Sequence, residues 1–503
     1  MVKASVTVSA DFVLSDIDRR IFGNFIEQMG RQVLGGIYEP GHPTADEKGF
    51  RHDVIDLVKE LGVTIVRYPG GNILSGYNWK NGIGPREERP RTLCLSRFTI
   101  ETHQVGTNEF IEWCKLADVE PMLAINLESE GFDSAREYVE YCNHKGGSQW
   151  SDLRIEHGYT EPHKVKVWCL GNEPDGHWQI AAHSAETYAR IATETAKAIK
   201  WIDPNTQLTL APAAARSMPY YGEWERIVLE DAFDYVDFIC PHMYFKDDHK
   251  DTSEYLAWAD QMNGYIKEMV AMCDAVAGKK RSRKRIMISF DEWNIGARWP
   301  IEEKRAKPGE WPERITILEE AYTVEDALLI GGAMQALLNN ADRVKVACFA
   351  QLVNCIAPIM TVDNGPAWRQ TIFWPLSLAS KYGHGQVLQQ VVESPSYKAK
   401  TWHDVPYLLS TVINDPETGR TTIIAANRHL TETMDLTVLL KGLGEDRRIS
   451  HTHELANDNL KAVNSADDPD NIVPSDIQVI SLSGEKLTAQ LKPASWNVIV
   501  IDR

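Results

Sequence analysis

From about residue 20 to residue 385 the chain alternates between short apolar runs and longer amphipathic stretches. The runs are IFGNFIEQ (21–28), TIVRYPGGN (64–72), EPMLAIN (120–126), KVKVWCLGNE (164–173), QLTLAPA (207–213), DFICPHMY (237–244), RIMISFDEWN (285–294) and VKVACFAQ (344–351). Each is rich in aliphatic and β-branched residues and is expected to form a strand. The stretches between them repeat at helical spacing. Residues 46–61 carry Phe50, Val54, Leu57, Val58 and Leu61, and residues 185–202 place Tyr188, Ile191, Ala198, Ile199 and Ile202 on one face. Residues 323–338 open on Thr323 with Asp326 three positions on, which resembles a capping box, and then run almost wholly apolar. That pattern predicts a buried helix. Strands alternating with helices point to a parallel sheet. Eight such units favour closure into a (β/α)8 TIM barrel, expected over 16–385, above an open doubly wound sheet.

After residue 386 the rhythm changes. YLLSTVINDPETGRTTIIAAN reads as two strands joined by a turn at Asp415 to Gly419, and QVISLSGEKLTAQLKPASWNVIVI reads the same way. The expectation for 386–503 is an all-β sandwich, jelly-roll-like, joined by an N-terminal strand pair over 1–15. Two long polar excursions, 73–106 and 295–322, follow strand C-termini, so both should overhang one rim of the barrel. Loops there shape the substrate cleft in barrels.

Charge and composition narrow the partners. With 503 residues, two domains are expected, and 43% apolar with 25% charged residues describes an ordered globular chain. A net charge of −18 disfavours nucleic acid and anionic membrane and suits a neutral ligand. The eight cysteines form no Cys-x-x-Cys pair and sit in apolar runs such as VWCL and DFICP. They are read as reduced core residues, neither zinc ligands nor a disulfide framework. The N-terminus has no uninterrupted apolar segment of the signal-peptide kind, and no apolar run reaches the roughly 18 residues of a membrane span. A cytoplasmic protein is expected. The basic run KKRSRKR (279–285) is read as a solvated loop, and DDH (247–249) as solvated rather than metal-binding.

The chemistry lies at the strand ends. Glu27, Asn72, Asn126, Asn172 with Glu173, His242 with Tyr244, Glu292 with Trp293 and Asn294, and Gln351 all fall at or just past a C-terminus. Carboxylates, carboxamides, Tyr and Trp are the groups that bind sugar hydroxyls and stack on sugar rings. Three strand–helix units fit between Glu173 and Glu292, at roughly 35 to 40 residues each. That places the two carboxyls on strands 4 and 7, facing each other across the rim, as glycoside hydrolysis requires. Glu173 follows an apolar strand beside Trp178, and burial should raise its pKa as a general acid needs. Glu292 would stay ionised as the nucleophile, with Tyr244 the candidate donor to it. Asn172 would donate to the sugar 2-hydroxyl. Glu27 has a structural alternative, an ion pair with Arg67 or Arg97.

NFIEQMGR, GGIYEPGHP, VRYPGGN, SGYNWKNGIGP, LGNEPDGHWQ, SFDEWN and QLVNCIAPIMT together resemble the glycoside hydrolase family 51 α-L-arabinofuranosidases. The resemblance implies a retaining barrel enzyme that removes terminal non-reducing α-L-arabinofuranosyl groups from arabinan, arabinoxylan or their oligosaccharides. It implies Glu173 as acid/base, Glu292 as nucleophile, and Glu27, Asn72, Asn172, Tyr244 and Gln351 lining the furanose pocket. It implies no metal or cofactor and a homo-oligomer, often a hexamer. The chain departs from the family pattern at Pro174 and His177 beside the acid, and at Cys94, Arg97 and His103 on the loop after strand 2. Those departures bear on leaving-group and linkage preference. The rival readings are the same machinery acting on β-xylosides or β-glucans, and a sugar-binding barrel without turnover.

Overall fold

The computed structural model describes residues 1–246, 251–298, 306–444 and 446–503. Eight parallel strands close on themselves. They are Gly23–Phe25, Ile65–Tyr68, Glu120–Ile125, Val167–Leu170, Gln207–Leu210, Phe238–Ile239 continuing as His242–Phe245, Met287–Ile295 and Val344–Phe349. Each pairs with the next, and the eighth returns to the first through Cys348 opposite Gly23 and Phe349 opposite Asn24. The (β/α)8 barrel expected from the apolar runs is therefore present. Most of its strands are shorter than those runs because their polar C-terminal residues leave the ladder. The sixth is interrupted at Pro241, which has no N–H to give a neighbour. Alternate strand positions fill the barrel interior with Phe25, Ile65, Met122, Val167, Cys169, Val346 and Cys348. All eight cysteines are free, and only Cys94 is not fully buried.

The helices follow the apolar spacing with two corrections. The helix expected over 46–61 begins at His52 and runs to Leu61. Asp46 instead closes a turn by accepting the N–H groups of Lys48 and Phe50, both at 2.9 Å, and Gly49 stands at φ +93°. In Ala185–Ile202 the buried stripe is Tyr188, Ala189, Ala192, Thr195, Ala196 and Ile199. Ile191, Ala198 and Ile202 flank it half-buried, because the small alanines are the residues that allow close approach. Val324–Leu338 is buried at every residue. Its capping box is formed: Thr323 N–H donates to Asp326 Oδ2 at 2.7 Å, and Asp326 N–H donates to Thr323 Oγ1 at 3.3 Å.

The C-terminal strands form one nine-stranded sheet with its own apolar core. Leu408–Asp415 and Arg420–Asn427 pair antiparallel through a turn closed at Asp415 and Arg420. The strand pair expected over 1–15 is instead one strand, Val2–Asp16, which lies in the middle of this sheet, antiparallel to Gln386–Glu393 and parallel to Met434–Lys441. The final strand, Ser495–Asp502, is buried on both faces. Trp496, Val498 and Val500 join the barrel-side core, while Ile499 and Ile501 join the core of the sheet. In the basic run at 279–285, Lys279 pairs with Glu230 at 2.6 Å and Lys284 donates to the carbonyls of Phe233 and Asp234. The DDH at 247–249 lies outside the described residues.

Candidate active site

The site is built where the fourth, sixth and seventh barrel strands end. After Leu170 the chain turns sharply: Gly171 has φ +84° and Glu173 itself φ +48°, in the left-handed region that non-glycine residues adopt at a cost. The turn is held from beneath by the Glu128 carboxyl, which accepts the Asn172 N–H at 3.1 Å. Burial pushes that carboxyl up to about 7. Glu292 lies within the seventh strand, directly in register with His242 of the sixth.

His242 joins the two carboxyls. Its Nδ1 lies 3.1 Å from Glu173 Oε1 and 3.6 Å from Glu292 Oε2, and its Nε2 lies 3.2 Å from Asp291 Oδ1. The nearest ligating atoms of Glu173, His242 and Glu292 all fall within 4.8 Å of one another. Glu292 also accepts from Arg67 Nη1 at 2.6 Å and from the Tyr244 hydroxyl at 2.9 Å. Glu173 accepts the Trp178 indole N–H at 2.9 Å.

These surroundings drive the two acids apart. Burial and then the charge of Glu292 raise the pKa of Glu173, against the hydrogen bond from His242. Burial alone would raise Glu292 too. The charges of His242 and Arg67, with the Arg67 and Tyr244 hydrogen bonds, outweigh it and lower Glu292 below the usual carboxylate range. Burial opposes the charge on His242, yet Glu292, Asp291 and Glu173 lift it to about 10. Asp291, fully buried, also stands 3.5 Å from Arg67 Nε, so one carboxylate braces both cations. A protonated carboxyl and an ionised carboxylate across a narrow gap can protonate one side of an acetal while attacking the other. Among the described residues two donor sets have metal-like spacing, Glu173–His242–Glu292 and Cys240–His242–Asp291. Both depend on His242, whose cationic form has no lone pair to give a metal.

The other residues expected at the site sit around this centre. Glu27 accepts from Gln351 Nε2 at 2.9 Å, from Ile73 N–H at 3.2 Å and from Arg97 Nη2 at 3.4 Å. The Arg97 pairing considered from sequence exists, whereas Arg67 pairs with Glu292 and Asp291 instead. Gly71 is required beside it, since a Cβ there would stand 2.7 Å from Glu27 Oε2. Asn72 accepts from Gln179 Nε2 at 2.9 Å. Asn172 Oδ1 accepts from Arg67 Nη2 at 2.7 Å. The Asn172 Nδ2 donor and the Gln351 Oε1 acceptor are both buried without a partner among the described residues. Asn126 and Asn294, also at strand ends, have their side chains fully engaged as loop braces. Asn126 donates to Tyr77 O and Asn294 to Ala350 O.

Sequence reasoning did not place Arg67, Asp291, Gln179 or Glu128 at the site, and it left His242 without a role. A signal existed for two of them. Arg67 and Asp291 are charges inside otherwise apolar strands of a parallel barrel, where an unpaired charge would be costly.

Comparison with known proteins finds similar chains over nearly the whole length. A family described as the alpha-L-arabinofuranosidase 1 domain matches residues 57–264, and one described as the alpha-L-arabinofuranosidase C-terminal domain matches residues 291–495. An intracellular exo-α-(1→5)-L-arabinofuranosidase of Halalkalibacterium halodurans is 47% identical over 99% of this chain and 98% of its own length. A second enzyme of that name, from Acetivibrio thermocellus, is 46% identical over the full length of both. The solved structure of AbfB, a family 51 α-L-arabinofuranosidase from Bifidobacterium longum, superposes with a TM-score of 0.95 at 38% identity, covering 99% of each chain.

Proposed function

The chain belongs to the family 51 α-L-arabinofuranosidases, and from that premise we propose that it is an exo-acting glycoside hydrolase that releases terminal non-reducing α-L-arabinofuranosyl residues from neutral arabino-oligosaccharides by a retaining double displacement. The observation that carries the mechanism is the pair Glu173 and Glu292, with their pKa values displaced in opposite directions and their nearest oxygens within 4.8 Å. Retaining glycosidases hold their carboxyl groups about 5 to 5.5 Å apart and inverting ones about 6.5 to 9.5 Å; the retaining course is proposed on the family resemblance.

In the first step Glu292 attacks the anomeric carbon, and Glu173 protonates the departing glycosidic oxygen as the bond breaks. The product is a glycosyl ester on Glu292 and a free alcohol. In the second step Glu173, now ionised, takes a proton from water, and the hydroxide attacks the anomeric carbon and releases Glu292. Tyr244, Arg67 and His242 hold Glu292 charged and aimed. The unpartnered Asn172 Nδ2 and Gln351 Oε1 supply a donor and an acceptor for sugar hydroxyls, with Glu27 and Asn72 completing the pocket. No metal or cofactor enters either step.

Glu292→Ala is expected to abolish turnover of an aryl α-L-arabinofuranoside. Glu173→Ala is expected to keep activity on substrates with strongly activated leaving groups and to gain rate with azide. Wild-type-like activity in Glu292→Ala would end the assignment. Proton NMR of the first sugar released tests the stereochemistry, with retention expected. The division into a barrel over 16–385 and a β-rich unit over 386–503 with 1–15 is proposed on the strand pairing. A site of action inside the cell is proposed from the relatives' names. Among the described residues no helix is long and apolar enough to cross a membrane. Assembly into a homo-oligomer, hexameric by resemblance, is open to light scattering.

A further inference from the structure

Arg97 is, with Arg67 and Arg343, one of the buried arginines that make only two side-chain hydrogen bonds among the described residues, and it is the one beside Glu27. It lies in the turn between Thr92–Cys94 and Thr99–Glu101, a hairpin that the second long loop clasps. Ile100 N–H donates to Pro312 O at 2.9 Å, and Phe98 meets the Trp311 ring edge-on at 5.9 Å. The hairpin carries the Arg97 side chain, 7% exposed, against Glu27. There the guanidinium makes two hydrogen bonds to the described residues. Nη2 donates to Glu27 Oε1 at a long 3.4 Å, and Nε donates to the Met29 thioether at 2.9 Å. Nη1 has no partner among the described residues. Arg51, Arg89 and Arg154 are comparably buried, and each makes five hydrogen bonds to carboxylates or carbonyls. Burying a cation costs free energy unless its donors are met. Arg97 Nη1 has no protein acceptor among the described residues and is not enclosed, so it is free to meet a ligand beside Glu27.

We propose that Arg97 is a substrate-contacting, specificity-determining residue, which reads one hydroxyl of the bound glycosyl group together with Glu27. A hydroxyl carries one donor hydrogen and two acceptor lone pairs. Glu27 Oε accepts its hydrogen, and Arg97 Nη1 donates to its oxygen. The hydroxyl gives Arg97 Nη1 an acceptor and fixes the ring beside Glu27. This inference rests on the arabinofuranosidase reading and adds to it which cation selects the sugar.

The test is a set of aryl α-L-arabinofuranosides lacking the 2-, 3- or 5-hydroxyl, each compared with its parent. kcat/KM is measured for the wild type, Arg97→Met and Arg97→Lys, with melting temperatures to confirm folding. For the wild type, deleting the hydroxyl that Arg97 reads should cost about 10- to 100-fold, as for a hydrogen bond to a charged group. The same deletion should cost Arg97→Met less than about threefold. Intrinsic reactivity of the deoxy sugar cancels in the comparison. Arg97→Lys, which keeps the charge and loses the planar fork, should fall between them, and the same comparison is read on it alone if Arg97→Met does not fold. If all three deletions cost the variants as much as the wild type, Arg97 only braces Glu27 and the proposal fails. If the wild type does not turn over the parent arabinofuranoside, it is the arabinofuranosidase reading that fails.

Discussion

His242 sets the charge of the pocket at the scale of a single residue. It shares Nδ1 between the two glutamates, and as a cation it lowers the pKa of both. Removing it in His242→Asn should let both carboxyls move up. The acid limb of kcat/KM, set by Glu292 losing its proton, and the basic limb, set by Glu173 losing its own, should both shift to higher pH by about a unit or more. A pH profile in which only one limb moves would contradict this sharing. The same ring contributes to stability with a definite sign. Its pKa is raised in the fold, so its contribution is complete below the ordinary value of 6.5 and is lost as pH climbs through about 10. Urea midpoints of wild type and His242→Asn should therefore converge at the alkaline end. Glu173 and Glu292 were legible in the sequence because each closes an apolar run. Arg67 and Asp291 were visible only as charges inside apolar strands, and their role was not legible because it depends on which strand end each one faces.

At the scale of elements, apolar spacing located the barrel strands and the wholly apolar helix, but it could not mark where turns interrupt them. Asp46 and Gly49 lie within a helical pattern, yet a side-chain hydrogen bond and a positive φ take six residues out of the helix. The contact between Val324–Leu338 and Ser495–Asp502 is equally hidden, since the partners lie far apart in sequence. There Gly331 receives the indole of Trp496, and a Cβ would stand 2.5 Å from two of its ring atoms. Neither side can give way, because both are fully buried. Gly331→Ala should lower the stability by about 1 to 3 kcal/mol, the usual cost of overpacking, and so lower the denaturation midpoint. Its kcat at a permissive temperature should stay near that of the wild type, since the glycine lies outside the catalytic rim.

The whole molecule is held together by pairings between distant parts of the chain. Val2–Asp16 is an interior strand of the C-terminal sheet, and Val6 and Val8 lie in its core. Deleting 2–16 should empty those positions and bare two strand edges at once. Soluble yield should fall, and gel filtration should show aggregates in place of a defined species. The β-rich character of 386–503 was readable from its short alternating strands. That they form a single mixed sheet, with one parallel pairing to the N-terminal strand, was not, because strand order is a tertiary choice that no local pattern encodes.

That arrangement sets a timetable. The leading segment emerges from the ribosome first, yet its neighbours begin only at Gln386 and Met434. At about 5 to 20 residues per second, translation leaves a sticky, unmated ribbon waiting for roughly 20 to 70 s while the barrel assembles behind it. Slow translation, rather than heat, is the condition under which its yield should suffer most.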